Sequence, residues 1–354
     1  MKGNQLNSSQ AELSATLGKL APQLEQSGSW PAEQLSQCAK NGVFRWFVGK
    51  EWGGLGWDQT QIVDGYIALS SACLTTAFVI TQRTAASNRI EASENGAIKE
   101  RLLPGLASGE IFATVGISHL TTSRRHLGKP ILVATPIEDG FVLNGYCPWV
   151  TGADFADWLV VGASLENGQQ ILVAIERNRE GVDTADPIPL VALSASRTGM
   201  VNFADARVTH DEVLAGPVEN VMSRGGTGGR TGGLQTSALA IGLSCAAIDF
   251  VNQESEHHVE LKSTFEALQS QSQELHDDIR QLAQGNDICS FEDLRARSNS
   301  LALRSSQSSL AAAKGAGYVA SHPAGRWCRE ALFFLVWSCP QGVVDTNLCE
   351  LAGV

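Results

Sequence analysis

The apolar positions of the chain change period twice. From the start to residue 109 they recur at helical spacing, as Leu13, Leu17, Leu20 and Leu24 do, which predicts a helix there. Trp30-Pro31 opens a second helical segment, because proline is tolerated in a first turn. Gly53, Gly54 and Gly56 make 51–56 a loop. Residues 59–92 lack proline, and glycine after Gly65, and predict one long buried helix or two. Leu102-Leu103-Pro104 reads as the end of another helix. Between 110 and 218, short Val/Ile-rich runs at 131–135, 141–144, 158–162, 171–175 and 199–203 alternate with turn residues. Asp139-Gly140 and Asn167-Gly168 are hairpin signals among them. After 219 the chain returns to helix: 234–251 is a nearly unbroken Ala/Leu/Ile segment, 253–284 is polar with apolar residues near helical spacing, and 291–320 is an Ala/Ser/Leu helix closed by Gly315-Ala316-Gly317. The expectation is an α+β multidomain chain. It has an N-terminal helical domain at 1–109, a middle β-barrel or sandwich domain at 110–218, and a C-terminal helical bundle at 219–354.

Composition narrows the function classes. The chain has 354 residues, 43% of them hydrophobic and 18% charged, and a formal net charge of −11. That balance argues against a general nucleic-acid or anionic-membrane binder, and leaves room for a local basic patch. The polar N-terminus has no apolar stretch of the secretory kind, and runs such as 331–337 are too short to span a bilayer. The eight cysteines, at 38, 73, 147, 245, 289, 328, 339 and 349, form no C-x-x-C and no zinc spacing. They read as reduced thiols, and a cytosolic location is expected. His257-His258 has no further ligand at metal spacing and reads as a solvated helix face. The Gly-rich 225–233 lacks the Lys-Ser/Thr of a phosphate loop and follows no strand.

Several local sequences, in order, resemble the acyl-CoA dehydrogenase family. Glu51-Trp52-Gly53-Gly54-Leu55-Gly56 is similar to that family's E-Y-G-G-L-G loop. Gly140-Phe141-Val142-Leu143-Asn144-Gly145-Tyr146-Cys147-Pro148-Trp149-Val150-Thr151 resembles its G-Y-x-L-N-G-x-K-x-W-I-T segment. Phe203-Ala204-Asp205-Ala206-Arg207-Val208 resembles F-x-D-V-R-V. Gly229-Arg230 before a long helix, Gly315-x-Gly317-Tyr318, and Arg326-x-x-Arg329-Glu330-Ala331 continue the order. The match runs from about residue 30 to 345. The resemblance implies a helical domain, a β domain and a C-terminal four-helix bundle, with FAD held between the last two and completed by a second subunit of a homodimer or homotetramer.

In that family the Trp of W-I-T covers one face of the flavin and the Thr hydroxyl bonds near its reactive nitrogen. The resemblance therefore points to Trp149, Val150 and Thr151 as cofactor-binding. The flavin loop T-E-P-x-x-G-S-D is replaced by Gly116-Ile117-Ser118-His119-Leu120-Thr121-Thr122-Ser123. Ser118, Thr121 and Thr122 remain as hydroxyl candidates, against a plainer reading as capping residues of a turn. Arg230 matches an arginine near the family's thioester substrate, or is a solvated helix-start arginine.

The departures from the family pattern concern the catalytic base. Removal of an α proton from an acyl thioester needs a positioned carboxylate. Counting on from Arg326 as the family does reaches Ser338, preceded by Trp337 in place of Tyr, and the alternative base position is Gly229. Asp345 and Glu350 lie just beyond and read better as surface or helix-end charges. No arginine stands near His258, where the family's Arg reaches a neighbour's FAD pyrophosphate, and the glutamine that precedes the family's G-G-x-G is expected near Ala311 and missing from that place. Three function classes follow: an FAD-dependent dehydrogenase of acyl-CoA with another base; a monooxygenase of the same fold, taking reduced flavin (FAD, or alternatively FMN) from a partner reductase, with His119 as a candidate proton donor; and a homologue without catalysis.

Overall fold

The computed structural model describes residues 8–121, 130–223 and 233–354. Helices α1 (Ser8–Ser27), α2 (Ala32–Lys40), α3 (Gln59–Ala72), α4 (Leu74–Glu91) and α5 (Gly96–Ser108) form the N-terminal part. The buried face of α1 is Leu13, Leu17, Ala21 and Leu24. Leu20 lies at the margin of that face. Asp58 caps α3 reciprocally with Gln61, which satisfies two end donors at once. The apolar stretch 59–92 is two helices, broken at the extended residue Cys73. Pro104 lies within α5 and does not end it. Its ring is on the exposed side, and the stop comes at Gly109, with φ +89°, whose N–H reaches Gly105 O. A left-handed residue of this kind ends a helix more decisively than a solvent-facing proline.

The middle part is one eight-stranded sheet. Its strands are β1 (Ala113–Gly116), β2 (Leu132–Ile137), β3 (Gly140–Thr151), β4 (Trp158–Ser164), β5 (Gln170–Glu176), β6 (Val182–Thr184), β7 (Thr198–Thr209) and β8 (Val213–Val218), with the single turn α6 (Ser118–Thr121) after β1. The order is β6-β7-β3-β2-β4-β5-β8, and β1 runs parallel to β4. Both expected hairpins are present: β2 pairs antiparallel with β3 and β4 with β5. One face encloses a core that includes Leu143, Val161, Val173 and Phe203. On the other face Trp158, Val160 and Leu172 pack with Ile90, Leu102 and Leu106 of α4 and α5.

The C-terminal part comprises α7 (Leu234–Ser255), α8 (Lys262–Ala283), α9 (Phe291–Ala312), the short α10 (Lys314–Gly317), α11 (Pro323–Leu332) and α12 (Gln341–Ala352). Helix α7 is long and apolar enough to cross a membrane by composition, yet two thirds of it is buried in the protein, among α3, α8 and α9. The polar α8 buries only the stripe Leu268, Ser272, Leu275 and Ile279. The helical pattern of 291–320 ends earlier than expected, because Lys314 takes φ +53° and divides α9 from α10. The core of the C-terminal helices is continuous with that of the N-terminal ones.

Candidate functional site

Strand β3 ends in the segment that carries Trp149. Between the Cys147–Val201 and Val150–Gly199 pairs its register against β7 slips. Such a bulge re-aims one side chain. Trp149 consequently faces outward and is 53% exposed, while Val150 is fully buried. Thr151 is 2% exposed and shares a hydrogen bond of 2.9 Å with Thr198, whose hydroxyl lies 2.9 Å from that of Ser196. Three hydroxyls in line have one proton each. If the line runs Ser196 to Thr198 to Thr151, the proton of Thr151 is left over to donate to an acceptor outside it.

The end of β1 lies beside this segment. The Cys147 thiol donates to Gly116 O at 3.3 Å, and a Cβ on Gly116 would stand 3.0 Å from that sulfur. The following turn, α6, packs against β3. Ser118 Oγ and His119 Nδ1 are buried there without a hydrogen-bond partner. His119 Nε2 lies 2.8 Å from Gly162 O. A carbonyl only accepts, so Nε2 carries the proton and Nδ1 presents a bare lone pair. Burial lowers the His119 pKa, with partial opposition from the Gly162 bond, so the ring is neutral near pH 7. Thr121 turns its hydroxyl back to Ser118 O at 3.1 Å. Thr122 and Arg230 lie outside the described residues. An exposed flat indole and a hydroxyl relay on β3, with two orphaned buried polar atoms on the adjoining α6, match the needs of a flat heteroaromatic ring with polar edges. Trp149, Thr151 and Ser118 are the residues that could hold such a ring.

Ser338 belongs to the turn between α11 and α12. Helix α4 joins the two regions: it packs on β1, and its Phe78 meets Phe333 and Trp337 edge-on at 4.9 and 5.1 Å. Trp337 stacks on Phe333 at 4.9 Å. From α9, the fully buried Arg295 donates to Phe334 O and Trp337 O at 3.3 and 3.1 Å, and Asn299 donates to Phe334 O at 3.0 Å. These bonds set the turn in which Ser338 adopts φ +46°. Burial pulls Arg295 down to about 10, so it stays charged. The two carboxylates singled out beyond it in sequence, Asp345 and Glu350, are engaged elsewhere. Asp345 is exposed and accepts from Gln341 at 2.8 Å. Glu350 accepts from Ser300 and stands 3.7 Å from Arg304. His258 lies 3.7 Å from Glu260, and no group of metal-ligating side chains occurs among the described residues.

Thr198, Ser196, Arg295 and Asn299 escape sequence reasoning. Thr198, Arg295 and Asn299 act through pairings between distant segments, and Ser196 acts through Thr198 two residues on, so no local spacing signals them. Trp30 stood out only as the residue before a proline.

The model for the acyl-CoA dehydrogenase N-terminal domain matches residues 9–110. The chain is 24% identical over 238 residues to the probable acyl-CoA dehydrogenase YngJ of Bacillus subtilis, across 65% of this chain and 61% of that one. It is 24% identical over 209 residues to a dibenzothiophene monooxygenase of Rhodococcus qingshengii, across 57% and 49%. These matches span less than two thirds of either relative's length. The solved structure of butyryl-CoA dehydrogenase from Megasphaera elsdenii superposes with a TM-score of 0.77 at 19% identity, covering 99% of this chain and 100% of that one. The chain therefore has the acyl-CoA dehydrogenase fold, and its sequence is similar to that of dehydrogenases and a monooxygenase.

Proposed function

We propose that this protein is a flavin-dependent oxidoreductase that works without the family's carboxylate base, and that its reaction is an oxygen-using monooxygenation. The observation that carries the reading is the turn after α11. It presents Ser338 where the resemblance expects a glutamate, and Asp345 and Glu350 are bound to Gln341 and to Ser300 with Arg304. An unaided serine hydroxyl is too weak a base to take an α proton. Monooxygenation makes no such demand, and a monooxygenase stands among the relatives.

The redox chemistry is the flavin's when it is bound. The chain's own residues bind and orient. Trp149 offers an apolar face, Thr151 donates a proton from the relay behind it, and Ser118 completes an edge. His119, neutral and fixed by Gly162, can accept a hydrogen bond at Nδ1. FAD is the flavin implied, with reduced FMN the alternative. A separate flavin reductase, a homodimer or homotetramer, and a cytosolic setting in which the eight free thiols stay reduced complete the proposal.

The test is the visible spectrum of the purified protein, followed by anaerobic addition of a panel of acyl-CoAs and, separately, of reduced flavin with oxygen. Tighter binding of reduced flavin with oxygen consumption, and no bleaching by any acyl-CoA, is expected. Bleaching by an acyl-CoA would make the protein a dehydrogenase with a base elsewhere. A protein that binds flavin in neither redox state would be a non-catalytic homologue.

A further inference from the structure

Trp30 lies in the link between α1 and α2, far in sequence from every residue of the candidate site. Its ring stacks on Phe155 with centroids 4.9 Å apart and planes 2° from parallel. It meets Phe112 edge-on at 5.2 Å. Two of its ring carbons stand 2.3 and 2.4 Å from where a Cβ on Gly152 would be, so only glycine fits beneath it. Gly152 is also left-handed, with φ +63°, which favours glycine independently. Phe112 immediately precedes β1, and Gly152 immediately follows Thr151. One indole therefore touches the roots of both strands that carry the candidate flavin contacts.

The surroundings make this a fixed joint. Gly152 N–H donates to Arg197 O at 3.1 Å, next to Thr198 of the hydroxyl relay. Arg197 pairs with Asp154 at 2.6 Å and lies 5.7 Å over the Phe155 ring. Phe112 and Asp157 bond to each other twice: the Phe112 N–H to the Asp157 carboxylate and the Asp157 N–H to Phe112 O, both 2.8 Å. Trp30 is anchored on its own side, where its carbonyl accepts from Ala32 N–H at 2.8 Å at the start of α2. A large ring packed on a glycine leaves the turn at 152 little room to shift.

We propose that Trp30 is a positioning residue for the flavin segment, through which the N-terminal helices hold Trp149 and Thr151 in register with Ser118. This rests on the flavin reading above, and the experiment separates the two. In the full chain, Trp30→Ala, Trp30→Phe and, as a control, Trp57→Ala are compared with wild type. Trp57 stacks on Trp46 at 4.3 Å, in the N-terminal part. Amide hydrogen exchange of 147–156 is read without flavin, and flavin affinity and the visible circular dichroism of bound flavin are read with it. Trp30→Ala is expected to speed exchange in that segment and weaken flavin binding about tenfold, with an altered visible signal. Trp30→Phe should restore much of both, and Trp57→Ala should change neither. Unchanged exchange at 147–156 in Trp30→Ala, or faster exchange with flavin affinity intact, overturns the proposal. A wild-type protein that binds no flavin overturns the flavin reading alone, and the exchange data then decide whether Trp30 holds the segment.

Discussion

Glu330 is the residue whose environment departs furthest from its sequence appearance. It sits in the Arg326-x-x-Arg329-Glu330 motif like a surface charge, yet it is 2% exposed. Burial pushes its carboxyl up to about 7, against the pull of Arg326, with Glu25 adding to the rise and Arg329 opposing it. Arg326 lies 3.6 Å away on the same helix, and Glu25 reaches from α1 to Arg329 at 2.9 Å. An unfolded chain releases this proton near pH 4.5 and the folded chain near 7. Its contribution is therefore complete below 4.5, is lost as pH rises towards 7, and is flat beyond, a span of roughly 3 kcal/mol. Urea unfolding at pH 5 and pH 8 should show stability falling across that interval, and Glu330→Gln should flatten the fall. An equal slope in the variant would assign the pH dependence to another group. Thr198 supports a second prediction of this kind. Thr198→Val breaks the hydroxyl line and frees the Thr151 proton from its set direction. Flavin binding should weaken about fivefold, the worth of one hydrogen bond near 1 kcal/mol. Titration of the variant at unchanged affinity would remove Thr151 from the site.

At the scale of the element, most of the architecture was legible in the sequence. The period of the apolar residues placed α1, a stretch poor in Gly and Pro marked α3 and α4 as one helix or two, an unbroken apolar run placed α7, and Asp139-Gly140 and Asn167-Gly168 marked the two hairpins. The misreadings share a cause: backbone geometry that no residue type announces. Pro104 is tolerated within α5, where it lies on the exposed side. Lys314 takes a left-handed conformation that its identity disfavours. The site was legible only as far as resemblance carried it. Trp149 is outward because of a bulge, and the relay behind Thr151 depends on the register of β7. The turn holding Ser338 depends on α9. Arg295→Ala removes both guanidinium bonds and leaves Phe334 and Trp337 carbonyls under-satisfied. We expect a loss of about 3 kcal/mol in urea unfolding and a shift in Trp337 emission. Arg295→Lys should recover little, because one ammonium cannot reproduce the planar fork. A variant as stable as wild type would show that the aromatic stack of Phe78, Phe333 and Trp337 sets the turn alone.

For the whole molecule, the continuous helical core has a consequence for cooperativity. Leu17, Leu69 and Ile80 from the first helices share one cluster with Leu239, Ile248, Leu301 and Phe334 from the last. The Glu25–Arg329 pair spans the same junction. Domains with a common core melt together. Hydrogen exchange under mild denaturant should find α3, α7 and α9 opening as one unit. Earlier loss of α1–α5 alone would mean that the shared core is weaker than its burial indicates.

That same core separates kinship from autonomy. The stretch that family comparison recognises, residues 9–110, begins and ends close to the limits of the first five helices, and would be the obvious piece to clone. Expressed by itself it would present the partners of Leu239 and Ile248 to water, an adhesive surface with nothing to close it. Such a fragment would be recovered from inclusion bodies, or bound to chaperones, and refolding it would require the other end of the chain.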